Sequence, residues 1–300
     1  QAGCENAVME VSSHALDQHR LDGCMFDVAA FTNLTQDHLD YHKTMENYFE
    51  AKARLFSQCK TAIINWDDSY GRRLCERLKG TDVKLLTFSA ACDAADFTAK
   101  DPRYFADGVK FAFVGKEAIE RISFKMPGPF SVSNAMTAVT TAMAAGIDLP
   151  GCAAGIAACK GVRGRAEVLY SDENYTILCD YAHTPDGIQK ILQACRSFCG
   201  KRRLCILFGC AGNRDAKKRP MMTAAAAQNA DFVILTSDNP RREDPEKIIR
   251  DALPGFKEYK TPYVTIPDRF SAIEWAIGHM KKGDLLVLAG KGHEDYQVLD

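Results

Sequence analysis

Tyr175-Thr-Ile-Leu-Cys-Asp180, Leu204-Cys-Ile-Leu-Phe208, Phe232-Val-Ile-Leu235 and Leu285-Leu-Val-Leu288 are short apolar runs without polar alternation. Between them, helical apolar spacing runs over Pro185 to Phe198, Lys217 to Gln228, Pro245 to Leu253 and Phe270 to Met280. Unalternated runs read as strands buried on both faces, and strand–helix alternation predicts a parallel sheet with helices on both sides. Ligands of such sheets gather at the carboxyl ends of the strands. The polar residues obey that rule: Asp180-Tyr-Ala-His183, Gly209-Cys-Ala-Gly-Asn-Arg214-Asp215, Ser237-Asp-Asn-Pro-Arg241 and Gly290-Lys-Gly-His-Glu294 each follow one run.

Taken singly, each cluster has an ordinary reading. Asp180 and His183 make a local turn pair, Gly290-Lys-Gly a tight turn, and Asp238-Asn-Pro is good turn chemistry anywhere. Gly209 to Gly212 lacks the Gly-Lys-Ser/Thr ending of a phosphate loop. Together at one sheet edge they gain a chemical logic. Asp238, Asn239 and Glu294 with Arg214 and Arg241 suit a zwitterion, carboxylate to guanidinium and ammonium to carboxylate. An arginine-rich site further suits an amino acid with a second carboxylate.

Upstream, Gly161-Val-Arg-Gly-Arg165 reads as a glycine-punctuated linker, and closure about it, with Gly164 as a hinge, is the expectation. Before it come an Ala-rich helix capped by Ser131 or Ser133, with Asn134 in its first turn, and a break at Pro127-Gly-Pro129. Residues 95 to 125 read as an antiparallel insertion. Ala62 to Ile64 and Leu85 to Phe88 are strands around a helix ending at Leu78, which is βαβ grammar.

The most improbable residue is Lys52. Thr44 caps a helix from Met45 whose apolar stripe runs through Tyr48 and Phe49 to Phe56, with Glu50 to Arg54 as an i,i+4 pair. Lys52 lies on that stripe, and a buried ammonium must be paired, neutralised or modified unless its stem snorkels to water. Asp37, His38, Asp40 and His42 precede the helix. Glu10-Val-Ser-Ser-His14 predicts a second strand end, with Met9 and Val11 buried around the carboxylate. Two such ends with hard oxygen ligands and a histidine suit Mg²⁺.

The 300 residues bring a prior of two domains at roughly 150 residues each. The formal charge of −1 lacks the basic excess of a nucleic-acid binder. The 12 cysteines show no Cys-x-x-Cys or zinc-finger spacing and read as reduced core residues of a cytoplasmic protein. No signal peptide or membrane-length apolar run is expected.

Glu10-Val-Ser-Ser-His14, Thr32-Asn-Leu-Thr-Gln-Asp-His38 and Ala51-Lys52 resemble the central domain of the Mur ligases, and the resemblance extends along essentially the whole chain. It implies an α/β protein: a truncated central ATPase-like domain over residues 1–162, then a Rossmann-like parallel-sheet C-terminal domain over 163–300 that binds the incoming amino acid. By the same resemblance Glu10 and His38 hold Mg²⁺, and Lys52 carries a carbamate, the three forming the catalytic and metal set. ATP would be met by Asn134, Arg165, Asp180 and His183. The nucleotide substrate would be met by Ser12, Gln18 and Arg20, and the acceptor by Arg214, Asp238, Asn239, Pro240, Arg241, Gly290 and Glu294. Asp238-Asn-Pro-Arg241 looks like the signature of the branch that adds meso-diaminopimelate, since lysine-adding relatives differ at the arginine. Asn213 and Ala211 depart from that pattern. The implied activity is ATP-dependent amide ligation to UDP-MurNAc-L-Ala-D-Glu through an acyl phosphate by a monomer that uses small-molecule substrates and neither nucleic acid nor membrane. The family's Gly-x-Gly-Lys-Thr/Ser loop appears nowhere, so the chain is expected to be the latter part of such an enzyme and inactive alone. The alternatives are a ligase for another amino acid, L-lysine or a folylpolyglutamate synthase-like acceptor, and a non-catalytic amino-acid-binding module.

Overall fold

The structure, a computed structural model, describes residues 3–299, the side chain of Asp40 excepted. The chain forms two compact units, one made of the residues up to Pro102 with Phe111–Ile122 and Val132–Ile156, the other of Arg103–Lys110, Ser123–Ser131 and the chain from Ala157.

The first unit opens with α1 (Ser13–Asp17), β1 (Phe26–Phe31), α2 (Leu39–His42) and α3 (Met45–Ala53). The chain continues with β2 (Cys59–Asn65), α4 (Ser69–Leu78), β3 (Lys84–Ser89), β4 (Phe97–Phe105), β5 (Gly108–Val114), β6 (Ile119–Phe124), α5 (Phe130–Ala144) and α6 (Leu149–Ala158), of which residues 103–105, 108–110, 123–124, 130–131 and 157–158 group with the second unit. The strands lie in the order β1-β2-β3-β4-β5-β6, with β1 to β4 paired in parallel. The stretch expected to be an insertion thus extends the sheet. Thr44 caps α3 as its sequence requires, its hydroxyl oxygen accepting Asn47 N–H at 3.1 Å. The coil then tightens into a 3₁₀ turn over Arg54–Ser57, which still buries Phe56 with Phe49, Ala62 and Ile64.

Three local expectations fail here. Glu50 does not pair with Arg54. It receives two hydrogen bonds from Arg77, at 2.8 and 2.7 Å, while Arg54 sits 3.3 Å from Asp17. Arg73 and Arg77, one turn apart on α4, face Glu46 and Glu50, one turn apart on α3; Arg73 meets Glu46 with both terminal nitrogens and Arg77 meets Glu50 through Nη1, and these contacts between helices prevail over a helical i,i+4 pair. Ser131 lies inside α5 rather than capping it and donates to Pro127 O at 3.0 Å. Residues 5–10 form no strand: Val8 is fully exposed and Met9 is 56% exposed. An extended run becomes a strand only beside a partner, and among the described residues none pairs with it.

The second unit contains β7 (Glu167–Ser171), β8 (Tyr175–Asp180), α7 (Pro185–Cys199), β9 (Leu204–Cys210), α8 (Lys218–Asn229), β10 (Phe232–Ser237), α9 (Pro245–Ala252), β11 (Tyr263–Thr265), α10 (Arg269–Gly278) and β12 (Asp284–Ala289). Its sheet order is β11-β10-β9-β12-β8-β7, parallel except for β7, which runs antiparallel to β8. Side chains alternate across the pleat. Leu204, Ile206 and Phe208 pack with Val233, Leu235, Leu285 and Val287 under α7, α8 and α9. Cys205 and Leu207 join Ile234, Leu286 and Ala272 of α10 on the other face. Both faces are buried, which is why the strands carry no polar alternation.

Candidate functional site

In the first unit Lys52, His38 and His42 collect around Tyr48. The Lys52 Nζ lies 5.5 Å from the Tyr48 ring centroid, and the side chain is half-buried, as the stripe requires. Burial pulls its ammonium below the ordinary lysine range, with the Glu10 carboxylate pushing back. His38 has a left-handed backbone, φ +53°, stabilised by donation of its N–H to Asp37 Oδ1 at 2.8 Å. Its ring is 6.0 Å from Tyr48 and 5.0 Å from His14. His42 is buried, stacks on Tyr48 at 4.9 Å, and shares a 2.9 Å hydrogen bond with Ser13 Oγ. Asp40, named with these residues from the sequence, has its side chain outside the described residues.

Glu10 is exposed, and among the described residues no three acidic, histidine or cysteine side chains form a metal cage. That donor set still fits Mg²⁺, which takes one or two protein ligands and completes its shell with water and phosphate oxygens. Ser12 caps α1 by accepting Ala15 N–H at 3.1 Å, and Arg20 donates to Gln18 Oε1 at 2.5 Å on the surface. All three expected nucleotide contacts therefore lie along and after α1. Asn134 is exposed in α5, free to face a ligand.

The histidine cluster carries a pH dependence. Burial, and next the nearby His14, hold the His42 imidazole below its ordinary value. The unfolded chain then binds the proton more readily, so folding stability falls as pH drops below about 6.5 toward the lower folded value, and is regained above it. Urea midpoints for the chain should decrease from pH 7.5 to pH 5.5, with a shallower decrease in His42→Gln. Equal slopes in the two proteins would assign the dependence to other groups.

In the second unit the four expected clusters do meet at the carboxyl edge of the sheet. Asp180 ends β8, where Oδ2 accepts Ala166 N–H and Oδ1 accepts Ala182 N–H, both at 2.8 Å. Its backbone carbonyl accepts Gly290 N–H and Gly292 N–H at 3.1 and 3.3 Å, fixing the loop after β12. Burial raises the Asp180 carboxyl and those N–H bonds oppose it. His183 is exposed, with Nδ1 2.8 Å from Tyr181 O. The Arg165 guanidinium lies over the Tyr181 ring at 4.4 Å.

Asp238, Asn239 and Pro240 are buried beyond β10. Asn239 Oδ1 accepts Val298 N–H at 2.8 Å and Lys291 Nζ at 2.7 Å, while Tyr181 donates its hydroxyl to Glu294 Oε1 at 3.1 Å. Gly290 has φ +100°, and a Cβ there would stand 2.9 Å from Asp238 Oδ2, so this position keeps the carboxylate approachable. Arg241 donates through Nη1 to Gly212 O at 2.7 Å, leaving its other nitrogens available, and Arg214 is exposed. The unusual Asn213 does not spoil the turn. It adopts φ +52°, its N–H donates to Glu243 at 2.5 Å, and its Oδ1 accepts Arg242 N–H at 3.0 Å.

Two residues of this edge escaped the sequence reading. Lys291, taken as part of a tight turn, is buried and contacts Asp238, Asn239, Glu294 and Tyr296. Arg269, one residue before the expected start of α10, is buried and donates to Ser237 O and Ala289 O at 3.4 and 2.9 Å, tying together the ends of β10 and β12. A charged residue at a helix start is ordinary, so nothing local marked it. The linker also differs from a flexible joint. Gly164 is buried at φ +70°, donates its N–H to Glu167 at 2.7 Å, and a Cβ there would lie 2.2 Å from Gly292 C and His293 N.

A two-unit α/β chain with charged residues gathered at the carboxyl edge of a parallel sheet and a half-buried lysine beside a histidine cluster defines a class, and the match to family models agrees. Residues 1–142 match the Mur ligase middle domain and 164–292 the Mur ligase, glutamate ligase domain; the chain belongs to the Mur ligase family. Relatives include the UDP-N-acetylmuramoyl-L-alanyl-D-glutamate–2,6-diaminopimelate ligase of Caldanaerobacter subterraneus subsp. tengcongensis, 45% identical over 99% of this chain and 61% of its own length. The protein of the same name from Gloeobacter violaceus is 46% identical over 100% of this chain and 60% of its own. A solved structure of a ligase of this name aligns at 39% identity and TM-score 0.67, covering 96% of this chain and 59% of that one. The chain thus spans about three-fifths of the length of the relatives it matches.

Proposed function

We propose that this chain supplies the metal-and-phosphate part and the acceptor part of an ATP-dependent ligase that joins meso-diaminopimelate to UDP-MurNAc-L-Ala-D-Glu, in the cytoplasm and as a monomer. The observation that carries this reading is Asp238-Asn239-Pro240-Arg241, folded against Glu294 at one sheet edge in a chain 45% identical to a ligase of that name. We place the domain boundary between residues 162 and 163.

The γ-phosphoryl group of ATP passes to the D-glutamyl carboxylate, the amine of the amino acid attacks the acyl phosphate, and phosphate leaves. Mg²⁺, when held by Glu10, His38 and a carbamylated Lys52, supplies positive charge against the phosphate oxygens. Asn134, Arg165, Asp180 and His183 meet the nucleotide, and Ser12, Gln18 and Arg20 meet the UDP-linked substrate. Arg214 and Arg241 take carboxylates, Asp238 and Glu294 take the ammonium, Asn239 holds Lys291 and Glu294 in place beside them, and Gly290 leaves the ammonium room. Fixing the amine near the acyl phosphate converts a bimolecular step into a local one.

The test is acceptor-dependent phosphate release by the complete protein with ATP, Mg²⁺ and the nucleotide substrate. Meso-diaminopimelate should be preferred to L-lysine by at least about tenfold, and Arg241→Ala should erase most of that preference, because a lost charged hydrogen bond costs about 1.5–3 kcal/mol. A response to L-lysine alone would keep the ligase and overturn the acceptor; silence with both would favour an amino-acid-binding module.

A further inference from the structure

The acidic edge of the acceptor site already holds a cation of its own. Lys291 Nζ is 3.2 Å from Asp238 Oδ1, 3.5 Å from Glu294 Oε2, 2.7 Å from Asn239 Oδ1 and 3.0 Å from Tyr296 O. An ammonium has three donors, so its capacity is spent within the protein. The side chain is 11% exposed, and its backbone lies between Gly290 and Gly292, whose N–H groups are both fixed on Asp180 O. Displacing this head group would leave a buried charge unpaired, so Lys291 stays in place while a ligand binds.

We infer that Lys291 is a specificity-determining residue that cancels one of the two carboxylate charges at the acceptor edge and so selects against amino acids with a net positive charge. The inference rests on the acceptor reading above. Without Lys291, Asp238 and Glu294 would present two negative charges to the ligand, matching the net positive charge of L-lysine, whose second ammonium has no balancing carboxylate. With it, one negative charge remains beside Arg241 and Arg214, which suits an acceptor whose two ammonium groups are balanced by two carboxylates. The contacts of Asn239 Nδ2 with Glu294, at 3.5 Å, and of Tyr181 with the same carboxylate keep the remaining acceptor atoms aligned without adding charge.

The experiment compares kcat/KM for meso-diaminopimelate and for L-lysine in the complete wild-type protein, in Lys291→Met and in Lys291→Arg. Removing one charge from a partly buried site should shift the ratio toward L-lysine by about tenfold or more. Lys291→Arg, which keeps the charge, should hold the wild-type ratio even if both rates fall. Equal losses with both acceptors in Lys291→Met and an unchanged ratio would make Lys291 merely structural and overturn this inference alone. A wild type that uses neither amino acid would overturn the acceptor reading and this inference with it. Should Lys291→Met fail to fold, an Arg variant whose ratio shifts to L-lysine like that of an uncharged residue would equally overturn it.

Discussion

Replacing Lys52 by alanine in the complete protein is expected to reduce ATP-dependent phosphate release by about 10²–10³-fold, the order of loss when one preorganised electrostatic group is removed from an active site. The side chain sits on the buried stripe of α3 next to Tyr48, and burial already lowers its pKa. A larger neutral fraction is what carbamylation needs, because the free amine lone pair attacks carbon dioxide and a proton is released. The product is an anion, which fits beside a metal where an ammonium does not. Two measurements check this: kinetics of the variant, and a ¹³C carbamate resonance from wild-type protein equilibrated with labelled bicarbonate. Full activity of Lys52→Ala would remove the residue from the chemistry. A missing resonance with lost activity would assign Lys52 a role as an amine.

Gly164→Ala should destabilise the second unit by about 2–4 kcal/mol, through a positive φ and a collision with backbone rather than with a side chain that can turn away. Its Cβ would fall 2.2 Å from Gly292 C and His293 N, so the loop carrying Lys291 and Glu294 would have to move. Gly155→Ala in α6 is the control, since nothing lies within 4 Å of its added Cβ, and helix propensity favours alanine there by up to about 1 kcal/mol. Chemical denaturation of the two variants separates the cases. Equal stabilities would mean that the Gly164 contact yields easily, and the hinge expected from the sequence would regain its footing.

The contrast at Gly164 shows what was legible in the sequence. Glycine spacing announces that a side chain is unwelcome, but whether the cause is mobility or a close neighbour depends on residues 128 positions away. The strands β8, β9, β10 and β12 were readable because both-face burial leaves a largely apolar run with no polar alternation. The short β11, with Tyr263 and Thr265 exposed, and β7, irregular between Val168 and Tyr170, carried no such signature. Lys52 was found because helical periodicity is local, and its place on the stripe held. Lys291 was missed because Asp238 and Asn239, which give it meaning, follow another strand, more than fifty residues away in sequence.

The cysteines, read first only as small core residues, turn the chain into its own unfolding clock. Cys4, Cys24 and Cys92 are exposed, whereas Cys59, Cys75 and Cys152 are buried in the first unit and Cys195, Cys199, Cys205 and Cys210 in the second, all as free thiols. Burial pushes these hidden thiols up, to about 11 for Cys75 and Cys205 and about 12 for Cys210. Because only thiolates react, an alkylating reagent marks the exposed set at once and each hidden set at the rate at which its unit opens. The opening of each unit can thereby be followed through its own thiols, without any introduced label.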